Sequence, residues 1–328
     1  MSNSSNFASQ AGERKLWLDA LRGVAMIFVV FGHSCHAWPY YFAVTSPIKM
    51  PLFFAISAYL FKPRGGNQKE FYKSLFQKIV VPWVVLGMFP YVHPVERFGR
   101  LISGEIHWFM PCLIITEILW FYIHKFSKND KQIVILGVIA SALGFAMHYA
   151  HILRFAMIDT AFVVQIFFVM GYLIRKREDV LCEGWKRKLP ILILAYFLIE
   201  WFCTEYIWLD VHVNLYRNIP LCMLLIAIGC VALFMMFRML NVAPKWLVFV
   251  GQNTLLIYML HTFGFLIYNV GMKVLNLNVD IPAPLEGLIK TAISVTACCV
   301  LALFVNRYIP EIAGKKRSPK QKNPNRQE

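Results

Sequence analysis

The sequence predicts an all-α fold, a polytopic integral membrane bundle of about ten transmembrane helices with both termini cytoplasmic. Three observations predict it. Of 328 residues, 58% are hydrophobic and only 16% charged, too few charges to cover a soluble domain of this length. Apolar runs recur from Leu16 to Tyr308, several of them near the ~20 residues that cross a ~30 Å hydrocarbon core at ~1.5 Å rise per residue. With the spans drawn from those runs, 25 of the 33 Lys and Arg fall in loops or tails on one side and seven on the other, with Arg22 inside the first span. That is a positive-inside pattern. The net charge of +15 is therefore spread over one membrane face, and nucleic acid is not an expected partner; the lipid bilayer is.

The first span, Leu16 to His36, has the length of a membrane helix yet carries Asp19, Arg22 and His33. Charges at such depth are costly unless they face protein or water. Arg22 and His33 are 11 residues apart, which brings them within about 20° of one direction and ~16 Å apart along the axis. One stripe thus carries a guanidinium toward one face and an imidazole toward the other. Asp19 is a plausible i,i+3 partner of Arg22, and the pair can also be read as a plain interfacial ion pair. Gly23 and Gly32 leave room beside the stripe for a close neighbour.

The remaining elements follow in order. The second span, about Ile48 to Phe61, is short, with small residues Ala55, Ser57 and Ala58 for close packing. A basic segment with Lys62, Lys69, Lys73 and Lys78 marks the inner side. The third span, near Ile79 to Pro90, carries Pro82, expected to kink it or sit in its first turn. The fourth opens at His107 and Trp108 and holds Glu117; the fifth runs from Ile133 to Tyr149 and the sixth from Met157 to Ile174. The seventh, Leu189 to Glu205, holds Glu200, and the eighth, Ile219 to Phe237, is apolar throughout. The ninth, from Trp246, holds Gln252, Asn253, Thr254, Tyr258 and His261, and the tenth ends near Tyr308. The expected organisation is a cytoplasmic tail at 1–15, a transmembrane domain at 16–308 and a basic tail at 309–328. No soluble catalytic domain is evident, so any chemistry belongs to the bundle.

The eight cysteines form no CxxC pair and lie mostly in apolar runs, which suits small hydrophobes rather than a metal site or a disulfide frame. No metal is expected. H-E-x-x-H, G-x-S-x-G, P-loop and dinucleotide motifs are missing, which argues against common protease, hydrolase and nucleotide-driven classes. Histidines gather toward the outer span ends: His33, His36, His107, His148, His151, His212 and, within span nine, His261. A histidine that is neutral and basic near pH 7 can take a proton from a hydroxyl in acyl or phosphoryl transfer. Tyr258 and His261, at i and i+3, share a face, with Asn253 and Thr254 a turn before them. Read this way alone, the chain fits either a transferase or a proton-coupled transporter.

Taken together, LDALRGVAMIFVVFGH, MPLFFAISAYLF, FYKSLFQKIVVPW, HWFMPCLIITEI, FFVMGYLI and VGQNTLLIYMLH, in that order and spacing, resemble the membrane-bound acyltransferase-3 family. The resemblance is good over roughly residues 16 to 265 and loose over the last span. Many such proteins O-acetylate sugars of cell-surface polysaccharides. The resemblance implies that His33 corresponds to an essential first-span histidine and Arg22 to a first-span arginine on the acyl-CoA side. Of two family arginines before the third span, Lys78 stands nearest one and Leu75 at the other. Lys73 could compensate in charge, but an ammonium does not reproduce a guanidinium fork. Ala58 follows Ser57 where the family has glycine. Tyr258 and His261 correspond to a late Tyr and His.

The function this implies is transfer of an acyl group, acetyl foremost, from acetyl-CoA to a hydroxyl of a sugar or cell-surface glycan, lipid-linked or free, by a stand-alone enzyme of the bacterial cytoplasmic membrane. His33 is the expected general base and Glu117 its orienting carboxylate. Tyr258 or Asn253 is the expected oxyanion donor, and Arg22, Lys73 and Lys78 are the expected donor-phosphate ligands. A covalent acyl-histidine is the variant mechanism. The rival reading is a proton-coupled transporter or acyl-group translocator using His33, Glu117 and Glu200. Oligomeric state and acceptor identity leave no signature in the sequence.

Overall fold

The computed structural model describes residues 15–35, 39–63, 67–89, 93–152, 154–203, 205–276 and 280–317. His36, the N-terminal tail before Lys15 and the end of the C-terminal tail lie outside these. Apart from a two-residue antiparallel pairing, β1 (Leu209–Asp210) with β2 (Leu215–Tyr216), the described regular structure is helical. The chain forms a polytopic helical membrane bundle.

The helices are α1 (Leu16–Ser34), α2 (Pro39–Leu60), α3 (Gln68–Leu75), α4 (Val81–Gly87), α5 (Pro94–Ser103), α6 (Phe109–Phe126) and α7 (Asp130–Tyr149). They continue as α8 (Ile158–Val163), α9 (Gln165–Lys176), α10 (Glu178–Cys182), α11 (Trp185–Cys203), α12 (Ile219–Met239), α13 (Lys245–Gln252), α14 (Thr254–Val274) and α15 (Ala283–Tyr308). Six of them, α1, α6, α7, α12, α14 and α15, are each long and apolar enough to cross a membrane, and α8 with α9, bent by 44°, makes a seventh. The apolar stretch of α2 is shorter, at Val44–Leu60. Lys186, Arg187 and Lys188 open α11, whose other positions are mostly apolar.

Besides the sixth, bent between α8 and α9, two of the expected spans are broken, for identifiable reasons. In the third, Pro82 has no N–H to offer the Lys78 carbonyl and crowds the preceding turn. The chain widens there into a π-helical turn, Phe76–Val80, before the seven-residue α4. In the ninth, the helix is interrupted at Asn253 (φ −121°, ψ 19°), which separates α13 from α14.

Helix α1 is the centre of the bundle. Two-thirds of its apolar window (67%) is buried by other helices, against 22–44% for the other five spans. The seam it forms with α13 is backbone to backbone. A Cβ on Gly251 would lie 1.7 Å from the Asp19 carbonyl oxygen, and one on Gly23 would lie 2.4 Å from the Leu247 carbonyl oxygen. Only glycine at both positions permits this approach. Helix α2 meets α9 in the same manner, with Gly171 against the Ala55 carbonyl, so the small residues of the second span do admit a close neighbour.

At the basic end of the bundle, Glu178 ties four elements together. Its carboxylate accepts from Tyr59 (2.5 Å), Arg238 Nε (2.6 Å) and Lys15 Nζ (3.1 Å). Burial pushes this carboxyl up, and the three hydrogen bonds together outweigh burial and leave it below the ordinary glutamate range.

Candidate active site

The seam between α1 and α13 sets the first part of the site. Across it, Gln252 Nε2 donates to Asp19 Oδ2 (3.1 Å), and Arg22 Nη2 donates to Thr254 Oγ1 (3.4 Å). Because α14 starts afresh at Thr254, that residue belongs to the first turn after the break and meets the Arg22 guanidinium inside the bundle. A cavity of about 690 Å³ opens beside this contact. Its lining includes Arg22, Lys62, Lys78, Glu117, Asn253 and Tyr258, with apolar walls from Met26, Phe53, Ile56 and Leu113.

The cavity runs from a cationic end to an aromatic end. Lys78 lies on the π turn, beside the carbonyl that Pro82 leaves without its helical donor. The chain beyond α15 folds back onto that carbonyl: a short 3₁₀ turn, Pro310–Ala313, ends at Gly314 in the left-handed region (φ 70°), and a Cβ there would stand 2.4 Å from the Lys78 oxygen. The next residue, Lys315, enters the cavity and donates to Asn253 Oδ1 (2.7 Å) and Asn306 Oδ1 (2.8 Å). Asn253 also donates from Nδ2 to the Phe249 carbonyl (2.8 Å) and accepts from Asn306 Nδ2 (2.9 Å). Its side chain is thus engaged at the cationic end, holding the helix break and the returning strap.

At the other end, the Tyr258 hydroxyl accepts from the Phe109 backbone N–H (3.3 Å). An oxygen held this way keeps its own proton for another acceptor. Beyond Tyr258 three imidazoles gather. The His107 ring lies 5.9 Å from the Tyr258 ring and the His261 ring 6.4 Å from it, centroid to centroid. His33, exposed in the last turn of α1, lies 5.1 Å from His261. The His107 backbone is left-handed (φ 52°), a conformation that costs of order 1 kcal/mol outside glycine and is kept where surroundings demand it. Burial, reinforced by the Arg97 guanidinium and by His261, pushes the His107 ring down to about 4.

The residues singled out from the sequence divide accordingly. Arg22, Lys78, Glu117, Asn253 and Tyr258 line the one cavity. His33 stands beyond its aromatic end, against His261. Lys73 is exposed on α3 and is outside the lining. Glu117 is eight residues after Phe109 on α6, about 12 Å farther toward the cationic end, and so does not share the neighbourhood of His33. Two residues escape a reading of the sequence alone, as does the backbone conformation of a third, His107. Lys315 sits in a tail whose composition suggests disorder. His107 carries no signal of its conformation. Lys49 lies inside an apolar run, a signal in itself; its Nζ would stand 3.1 Å from a Cβ on Gly32 and lies 5.7 Å from the Tyr41 ring centre.

A thioester carbonyl lodged near Tyr258 would have a hydroxyl donor on one side and a pair of imidazoles on the other, with cations some 10–16 Å behind it. That arrangement suits acyl transfer. The family model for the acyltransferase-3 domain, described as an acyltransferase domain, matches residues 15–303. The chain belongs to this family of membrane acyltransferases. No curated protein and no solved structure matches it. In the acyltransferase, the matched span takes in the entire α1 helix, the cavity wall and the Tyr258–His261 turn, while Gly314 and Lys315 fall beyond it.

Proposed function

We propose that the acyltransferase moves an acyl group, acetyl foremost, from a coenzyme A thioester to a hydroxyl of a sugar or cell-surface glycan. The acceptor is free or lipid-linked, and the membrane is the bacterial cytoplasmic membrane. The observation that carries this reading is the polarity of the cavity: cations at one end, an apolar middle, and Tyr258 with its histidines at the other. The basic end faces the cytoplasm, where coenzyme A is found. Arg22, Lys78 and Lys315 attract the phosphates there, and the guanidinium offers two parallel donors. Lys73 contributes only to the field at the mouth.

The apolar middle takes the pantetheine arm. The acceptor oxygen attacks the thioester carbon, and His33 takes the hydroxyl proton as the C–O bond forms. The Tyr258 hydroxyl donates to the carbonyl oxygen as it gains charge. The C–S bond then breaks, and the thiolate leaves with the proton from His33 as free coenzyme A thiol. The length to be spanned is about 10 Å along α14, from Thr254, which Arg22 contacts, to His261, which His33 adjoins, and ~16 Å along α1 between Arg22 and His33 themselves. No acyl-histidine is required when the donor spans that length.

The test is thiol release from acetyl-CoA by the purified protein in lipid, with and without a bacterial glycan extract, wild type beside His33→Ala. Release that depends on acceptor and vanishes in the variant is the expected result. Full turnover by His33→Ala would remove His33 as the base. Absence of thiol release with any acyl-CoA, together with solute flux in proteoliposomes, would replace acetyl-CoA transfer by a translocation role.

A further inference from the structure

The proposed reaction brings the acceptor to His33 from the outer side, where that residue is exposed. Few cations stand on this side of the membrane, in keeping with the positive-inside pattern, and one of them is placed at the depth of the chemistry. Arg97 belongs to α5, the ten-residue helix between the outer ends of α4 and α6.

The helix holds Arg97 firmly. Pro94 opens α5 behind a left-handed His93 (φ 49°), and Gly104 closes it in the left-handed region (φ 84°). Arg97 and Leu101, at i and i+4, share the face that meets α4. Both reach Gly87. Leu101 is fully buried, and a Cβ on Gly87 would stand 2.6 Å from its Cδ1, while Arg97 Nε donates to the Gly87 carbonyl at 2.7 Å. That contact sets the level of the guanidinium. A Cβ on Gly87 would also lie 3.3 Å from the end of the Met259 side chain, next in the chain to Tyr258, and Phe89 packs on Phe263 at 5.1 Å, centroid to centroid. The charge of Arg97 is felt at the His107 ring, where it adds to burial in disfavouring the imidazolium. His107 in turn lies 5.9 Å from Tyr258. The guanidinium thus stands at the aromatic end of the cavity, on the acceptor's side.

Anchoring α5 on α4 occupies Nε alone. A guanidinium carries five N–H donors, and its two terminal nitrogens form a fork that matches an oxyanion. Among the described residues, the bond to Gly87 is the hydrogen bond that Arg97 makes, and no carboxylate pairs with it; the neighbouring Arg100, by contrast, is paired with Glu105 at 2.8 Å. Arg97 is half-buried, so its uncommitted charge acts over the site with less screening than a fully solvated one.

We infer that Arg97 is the anion site for the acceptor: its terminal nitrogens bind an oxyanion that the acceptor carries, a uronic-acid carboxylate or a glycosyl phosphate, while His33 takes the hydroxyl proton. The inference rests on the acyl-transfer reading and narrows its acceptor from any sugar hydroxyl to an acidic glycan. An acceptor gripped by the fork enters with its hydroxyl oriented. A neutral sugar forgoes that contact.

The test uses the purified protein in lipid, acetyl-CoA and the bacterial glycan extract, resolved on an anion exchanger into neutral and anionic fractions. The anionic fraction is assayed untreated, after carbodiimide amidation of its carboxylates, and after mild acid cleavage of its glycosyl phosphates. Acceptor-dependent thiol release should reside in the anionic fraction. Loss on amidation assigns the carboxylate, and loss on acid cleavage the phosphate. Arg97→Gln, which can still donate to the Gly87 carbonyl, should need about 10–100-fold more of the anionic fraction for half-maximal rate, with the acetyl-CoA KM within twofold. Arg97→Lys keeps the charge without the fork and should fall between Arg97→Gln and wild type. A role confined to anchoring α5 predicts instead a lower melting temperature and a lower kcat in both variants, with the half-saturating amount unchanged. That result, release carried by the neutral fraction, release that survives both treatments, or either variant saturating as wild type would overturn the inference and leave acyl transfer standing. No release from any fraction would overturn acyl transfer and the inference with it.

Discussion

Replacing Gly251 by alanine should part the two helices that carry the site. A Cβ there would come within 1.7 Å of the Asp19 carbonyl oxygen, 2.6 Å of its carbon and 3.1 Å of the Gly23 nitrogen. All three are backbone atoms, so no change of rotamer relieves the contact. Helices α1 and α13 must separate by roughly 1.5–2 Å to reach van der Waals distance. That exceeds the slack in the two bonds across the seam, Gln252 to Asp19 at 3.1 Å and Arg22 to Thr254 at 3.4 Å. Overpacking of this kind costs about 1–3 kcal/mol, and a displacement of about 1 Å at reacting groups costs about 10²-fold in rate. The expected outcome for Gly251→Ala is a kcat lower by about 100-fold and a lower melting temperature in detergent. The assays are thiol release from acetyl-CoA and intrinsic-fluorescence melting. Gly271→Ala on α14 is the control, because nothing lies within 4 Å of a Cβ at that position. It should turn over as wild type and melt no lower, since alanine exceeds glycine in helix preference by up to about 1 kcal/mol. Wild-type turnover and melting in Gly251→Ala would refute the argument that this seam holds Arg22 and His33 of α1 in place against α13 and α14.

Lys315→Ala should raise the KM for acetyl-CoA about tenfold, the loss of one charge-assisted contact worth about 1.4 kcal/mol, with kcat near wild type; an unchanged KM would remove the returning strap from the donor site. The acid limb of stability should depend on His107. Its folded value of about 4 lies below the ordinary histidine value of about 6.5, so the unfolded chain binds the proton first as pH falls. The stabilisation is complete above about 6.5 and is lost between 6.5 and 4, for a total of roughly 3 kcal/mol. Melting midpoints of His107→Gln between pH 7 and pH 4 should therefore fall less steeply than those of wild type, and parallel curves would contradict the assignment.

The membrane fold was legible because its cause is local. Apolar runs, basic loops and the 3.6-residue period are properties of neighbouring residues, and they identify α1 as the helix where Arg22 and His33 share a stripe. Gly23 could likewise be read as a point of close approach, since glycine in a span has few other uses. What covers it could not. The seam brings Arg22 to Thr254, 232 residues away in the chain, and requires a second glycine at 251 facing a carbonyl. At the break, the Asn253 side chain accepts from Lys315 and Asn306, 62 and 53 residues away in the chain. The run from Gln252 to Tyr258, with Leu255, Leu256 and Ile257 between its polar residues, carries no mark of it. Lys315 was hidden for the same reason: a basic tail reads as solvated until Pro82 opens the Lys78 carbonyl and Gly314 packs on it. The sequence by itself determined the kind of protein and the helix that carries Arg22 and His33. Only the tertiary structure decided that the His261 ring stands 5.1 Å from that of His33 and that Glu117 lines the cavity with Arg22 and Lys78, because which groups meet across a bundle depends on helix pairing and rotation, which no local periodicity encodes.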